Sequence, residues 1–416
     1  MDFLPRHLTA TLRRALRTFP AVLVTGPRQS GKTTLLREVL GARHRFVSLE
    51  RPEVRARARS DPAAFFEENR PPLILDEIQY APELLHHVKE RIDADRRPGR
   101  FVLSGSQSFP LMHGITQTLA GRVAILTLDP LSIAEVGRAP PPRSIDALLR
   151  RVFAAGSGAA RRRPTTARAI SPPDVADWLL RGGYPEPRTR PAVDRQLWFS
   201  SYVQTYLERD VRDLSSVGDL HDFHRFLALV ASHTGRQVNF SDLARELGLS
   251  SPTAKRWLSL LETSHVVQLL RPYHRNFGKR LTKASKVLVI DSGLATWLTG
   301  LHDRDALLHG PTFGSLFETA VLAEWIKTFH QAGDATPLHF WRSSDGLEVD
   351  LVFERNNLLY GVEVKTTASP TPQHAESLAK WMKLAGSRAR GVLACRVEEA
   401  VALRPGVRAV PWWVGW

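Results

Sequence analysis

The string Gly26-Pro27-Arg28-Gln29-Ser30-Gly31-Lys32-Thr33-Thr34 constrains this chain more than any other feature. It matches G-x-x-x-x-G-K-[ST] and lies between an apolar run, Ala21–Thr25, and a helical segment, Lys32–Leu40. A glycine-rich turn between a strand and a helix points successive backbone N–H groups into a concavity that suits phosphate. The helix that follows aims the positive end of its dipole at the same place. Gly26, Pro27, Arg28, Gln29, Ser30, Gly31, Lys32, Thr33 and Thr34 are therefore expected to hold the phosphates of ATP. Within that set Lys32 is expected to reach the β- and γ-phosphates, and Thr33 to ligate Mg2+.

A second string completes the chemistry. Leu73-Ile74-Leu75-Asp76-Glu77 is an apolar strand that ends in two carboxylates. Asp76 is expected to hold magnesium, directly or through water, and Glu77 to orient and deprotonate the attacking water. A further strand, Phe101-Val102-Leu103-Ser104, leads into Gly105-Ser106-Gln107, where Ser106 is the candidate sensor of the γ-phosphate. Arg122, at the end of Leu119-Ala120-Gly121-Arg122, is a candidate sensor or an arginine finger lent to a neighbouring subunit. A surface arginine at a helix end explains it almost as well. A finger would imply a homo-oligomer.

Strand-like runs alternating with helical segments over residues 1–153 predict a parallel sheet with helices on both faces, an α/β class of fold. Breakers and an arginine cluster mark 154–173 as a flexible linker. Residues 174–311 read as mostly helical, and 312–416 return to strands flanked by helices. With 43% hydrophobic and 24% charged residues, the 416-residue chain can build several ordinary cores. No apolar run approaches the roughly 20 residues that span a bilayer. The single cysteine, Cys395, has no partner for an internal disulfide. The expected setting is cytoplasmic, without a membrane partner. A formal charge of +15 favours polyanions.

These motifs resemble AAA-type ATPases, and more closely a prokaryotic ATP-binding family whose C-terminal half is known as domain of unknown function 4143. The resemblance rests on residues 26–34, 75–79, 119–122 and 128–132. It continues through Gly182-Gly183-Tyr184-Pro185-Glu186-Pro187, Tyr206–Val211, Pro252–Trp257, His274–Arg280 and Asp291-Ser292-Gly293-Leu294. It implies a P-loop ATPase that uses ATP and Mg2+, and it leaves the biological role open.

In the middle block, Ser241–Leu249 and Thr253–Ser264 read as two short helices about a tight turn, a helix-turn-helix. Val266–Leu270 and Lys286–Ile290 then read as wing strands around a basic stretch. Lys255, Arg256, Arg275, Lys279 and Arg280 are the candidate nucleic-acid contacts, with DNA expected more than RNA. In the last block, Asp350 on one strand and Glu363-x-Lys365 on the next resemble the PD-(D/E)xK nuclease core of restriction-endonuclease-like folds. Glu318 opens a helix that would supply another carboxylate, and Asp350 and Glu363 would be the metal ligands. The expected function is an ATPase acting on or with nucleic acid. An ATP-dependent DNA nuclease and an ATP-gated switch working through protein partners remain as alternatives.

Overall fold

The computed structural model describes residues 3–105, 115, 118–154, 173–207, 220–273 and 284–413. The linker expected at 154–173, apart from its two end residues, lies outside the described residues, as do Ser106, Arg275, Lys279 and Arg280. The chain divides into two compact units: residues 1–131 with 263–265 and 330–333, and residues 132–262 with 266–329 and 334–416.

The first unit is an α/β layer structure. Its strands are β1 (Ala21–Thr25), β2 (Arg45–Ser48), β3 (Leu73–Asp76), β4 (Phe101–Ser104) and β5 (Val123–Thr127), in the spatial order β2-β3-β4-β1-β5. Every neighbouring pair is parallel. The period of two along each strand divides the apolar residues between two cores. Ala21, Leu23, Leu73, Leu75, Phe101 and Leu103 enter one core; Val22, Val24, Ile74 and Val102 enter the other. Helices cover both faces, as the sequence pattern predicts. Because all strands run the same way, Thr25, Asp76 and Ser104 end at one edge, while Ala21, Leu73 and Phe101 lie at the opposite one.

Among the described residues the second unit carries nine strands in one sheet. They are β6 (Gln237–Val238), β7 (Val267–Pro272), β8 (Ser285–Val289), β9 (His339–Arg342), β10 (Glu348–Arg355), β11 (Leu358–Val364), β12 (Ala389–Cys395), β13 (Val401–Arg404) and β14 (Val407–Pro411). The order is β13-β14-β12-β11-β10-β9-β7-β8-β6. Helices Phe240–Leu247 and Ser251–Thr263 lie between β6 and β7 in the chain. The first starts at Asn239, whose side chain caps the Ser241 N–H, and ends at Gly248 in the left-handed conformation. β8 pairs antiparallel with both β6 and β7. β7 in turn pairs in parallel with β9 at Arg271 and Pro272, so both groups of strands form one continuous sheet.

Candidate phosphate and carboxylate sites

The phosphate loop leaves β1 at its buried C-terminal end. Gly26 has φ of 136°, and a Cβ there would overlap the Leu128 carbonyl oxygen, so only glycine lets the loop pass this close to the chain beyond β5. Helix Lys32–Leu40 starts at Gly31 without a side-chain cap, leaving its first N–H groups directed at the loop. Lys32 is buried, and its Nζ donates to the Gly26 and Pro27 carbonyls at 3.0 and 2.9 Å, which places the ammonium over the loop. The Ser30 hydroxyl is buried with no hydrogen-bond partner among the described residues. Arg6 braces the loop from outside the motif, donating to the Ser30 carbonyl at 2.8 Å and to the Asp129 carbonyl at 2.6 Å.

Asp76 meets this loop across the sheet edge. The Thr33 hydroxyl lies 3.0 and 3.2 Å from its two carboxylate oxygens, and the Ser104 hydroxyl also donates to it. Burial raises the pKa of Asp76, and hydrogen bonds from Ser104 and Thr33 work against that rise. Ser104 can reach Asp76 because β4 lies between β3 and β1. Glu77 follows in the left-handed conformation, with φ of 58°, and its carboxylate accepts from the Gln79 amide. A non-glycine residue held there is strained, a condition common where a side chain is aimed for chemistry.

Arg122 is not brought to this edge. Its carbonyl accepts from the Ala21 N–H at 3.2 Å, at the start of β1, so the residue sits at the opposite end of the sheet. Five residues of strand separate it from the phosphate loop, about 16 Å at the usual rise per residue. Its guanidinium is held bidentately by Asp93 at 2.7 and 3.1 Å. A sensor acting within its own subunit is incompatible with that position. The Leu119–Arg122 string could not reveal it, because the answer depends on β5 running parallel to β1.

In the second unit, Glu318, Asp350, Glu363 and Lys365 come together as residue types. Asp350 and Glu363 are buried at 7% and 4% exposure. The Lys365 ammonium pairs with Glu363 Oε1 at 2.7 Å, while Glu363 Oε2 is buried with no partner among the described residues. Asp350 Oδ2 accepts from the Val364 N–H at 2.8 Å. The residue that sequence reading missed is Lys286 of β8. Its Nζ lies 2.8 Å from Glu318 Oε1 and 3.2 Å from Asp350 Oδ1, and it also pairs with Glu348. Burial alone would lower the pKa of this ammonium, but Asp350, Glu318 and Glu348 together raise it well above the ordinary lysine value. Burial, reinforced by Asp350, pushes the carboxyls of Glu318 and Glu363 up to about 8. Among the described residues no group of three or more His, Cys, Asp and Glu side chains is arranged to hold a metal ion.

Comparison with known protein families matches three segments of the chain. Residues 18–137 match an AAA domain, 172–305 match domain of unknown function 8612, and 313–414 match domain of unknown function 4143. Uncharacterized proteins of Mycobacterium tuberculosis and Mycobacterium bovis are each 33% identical over 368 residues, covering 88% of this chain and 75% of theirs. The chain belongs to this family of AAA-type proteins with a C-terminal domain 4143. Among solved structures, a Walker-type ATPase of Pyrococcus abyssi aligns at 16% identity and a TM-score of 0.41, covering 71% of this chain and 96% of its own. A signal-transduction ATPase of Pyrococcus horikoshii with a tetratricopeptide-repeat sensor aligns at 12% identity and a TM-score of 0.24, covering 78% and 48%.

Two motifs that carried the resemblance to this AAA family interlock structurally. Asp291 accepts from the Gly183 N–H at 2.7 Å and caps its own helix through the Leu294 N–H at 2.9 Å. Gly182, with φ of 64°, leaves room for that carboxylate; a Cβ there would overlap it. No helix among the described residues of this AAA-family chain is long and apolar enough to cross a membrane.

Proposed function

We propose that the chain is a Mg2+-dependent ATPase that works at the C-terminal edge of the five-stranded sheet and acts on duplex DNA through its second unit. One observation carries the ATPase reading: Thr33 and Asp76 meet within 3.2 Å beside the buried Lys32 and the open end of its helix, with Glu77 next in the chain. A hydroxyl and a carboxylate are hard oxygen donors that suit Mg2+, and these two would hold it. When bound, the metal supplies charge neutralisation to the phosphate oxygens. Lys32 orients the β- and γ-phosphates, and the loop N–H groups exclude water from their inner side. Ser104 keeps Asp76 aimed, and the Glu77 carboxylate positions the attacking water and takes its proton.

Phosphate release from ATP by the full-length protein tests this. Glu77→Gln should keep ATP binding and lose turnover, while Lys32→Ala should lose both. Release that persists unchanged in both variants would sink the proposal.

The DNA reading is supported by the order helix, β6, two helices, β7, β8, that of a winged helix, within the span first read as 174–311. Lys255 and Arg256 are exposed on helix Ser251–Thr263, while Ala254, Trp257 and Leu258 are buried behind them. Anisotropy of a labelled duplex should show binding that weakens with salt, as contacts to phosphate require. Lys255→Glu/Arg256→Glu should weaken it further and remove any stimulation of ATP turnover by DNA. Equal affinity for both proteins would move the search to a protein partner. The nuclease reading of 312–416 draws less support, because an ammonium stands among its carboxylates.

A further inference from the structure

Glu318, Glu348 and Asp350 surround a single point in space, and that point is filled by Lys286 Nζ. The lysine side chain is 3% exposed, and its contacts come from a helix and from β10, on the far side of the β7–β9 junction from β8. Phe340 lies beneath the ammonium, 5.6 Å from nitrogen to ring centroid, and shields it from solvent. Three carboxylates converge on the ammonium, and a fourth, Glu363, keeps one buried oxygen without a partner among the described residues; placed as they are around Lys286, these acids form no group that would hold a metal. A divalent ion taking the same oxygens would stand at contact distance from the ammonium, in a poorly screened interior. The two cations exclude one another. The residues present therefore do not fit a metal while Lys286 is in place.

We infer that Lys286 is the resident cation of this pocket, a tethered replacement for a divalent metal, and that neutralising it turns the pocket into a Mg2+ or Mn2+ site. In the wild-type protein Asp350 and Glu363 then carry no metal chemistry, and the Lys286 side chain alone separates the pocket from a metal-binding form.

The test counts bound Mn2+ by electron paramagnetic resonance on the full-length protein without nucleotide, so that the phosphate loop and its Thr33–Asp76 pair contribute no nucleotide-dependent site. Wild type and Lys286→Arg should show no Mn2+ bound at the pocket. Lys286→Met should take up one Mn2+ per chain, with an affinity about a hundredfold or more above wild type, the scale set by repulsion between charges in contact. Lys286→Met/Asp350→Asn should lose it again. Wild-type uptake that disappears in Asp350→Asn would overturn the inference, as would a folded Lys286→Met protein that takes up no Mn2+. If Lys286→Met does not fold, the wild-type pair decides alone: uptake lost in Asp350→Asn overturns the inference, and absence of uptake sustains it. ATP turnover in the same wild-type preparation reports separately on the phosphate site.

Discussion

The phosphate edge of the first unit and the carboxylate pocket of the second are assembled from the same residue types, a buried lysine and acids carried on strands, joined in the second by Glu318 from a helix. They differ in what the lysine is bound to. Lys32 donates to two loop carbonyls, which carry no net charge, and Asp76 is held by the hydroxyls of Thr33 and Ser104. At that site the hydrogen bonds of Lys32 to the loop run to neutral groups. Lys286 is instead committed to three carboxylates of its own chain. The lesson is that a list of acids and lysines does not define a cation site; how their charges are already paired does.

The largest effect should come from breaking the internal pairing. Lys286→Ala leaves buried carboxylates facing one another and should cost about 3–5 kcal/mol of stability in urea denaturation. Lys32→Ala should cost less, since the two loop carbonyls it leaves behind are neutral and can turn to water. Equal losses in the two variants would erase the distinction. Next in size, Lys32→Ala and Glu77→Gln should each lower ATP turnover roughly 10²–10³-fold, while Lys286→Arg leaves it unchanged, as phosphate-release assays would show.

Ser104→Ala should lower kcat/KM for Mg2+-ATP by about tenfold through the lost charge-assisted hydrogen bond. That bond lowers the Asp76 pKa against the burial that raises it. Removing it should move the acid limb of the rate profile to higher pH. An unmoved acid limb would mean that Ser104 does not tune Asp76. The smallest effect concerns Asp129, whose carbonyl helps Arg6 brace the phosphate loop. His330 Nδ1 lies 2.8 Å from the Asp129 carboxylate. Burial by itself would lower the His330 pKa, but that carboxylate and its hydrogen bond raise it overall. A histidine pKa raised on folding contributes stability that is fully present below the unfolded value of 6.5 and is lost as pH rises through the folded one. His330→Ala should therefore destabilise the protein more at pH values below that range than above it, in melts across pH.

The parts legible in the sequence were those written in contiguous strings. Gly26–Thr34 and Leu73–Glu77 each carry their strand, turn and chemistry within a few residues, so the layer architecture and the phosphate edge could be read directly. The missed residues act across distance. Ser104 reaches Asp76 only because β4 is inserted between β3 and β1, and Arg6 lies 24 residues ahead of Ser30, the residue it braces. Lys286 is 32 residues from Glu318 and 64 from Asp350. It read as one wing-strand residue among several, and nothing local marks it as the partner of acids beyond the β7–β9 junction. Arg122 shows the converse: a motif plain in the string whose place at the far edge emerges only from strand direction.

The sheet of the second unit also limits how this chain can change length. Side chains alternate between faces along β8, so a one-residue insertion or deletion ahead of Lys286 within that strand would turn the lysine to the other face. A neighbouring residue such as Val287 would then be presented to the acids. A two-residue change would restore the facing but carry the ammonium about 7 Å along the strand, away from the acids. Relatives that keep the internal ammonium are thus expected to keep the register of this strand, and a relative with an offset there is where a metal-dependent pocket would first be sought.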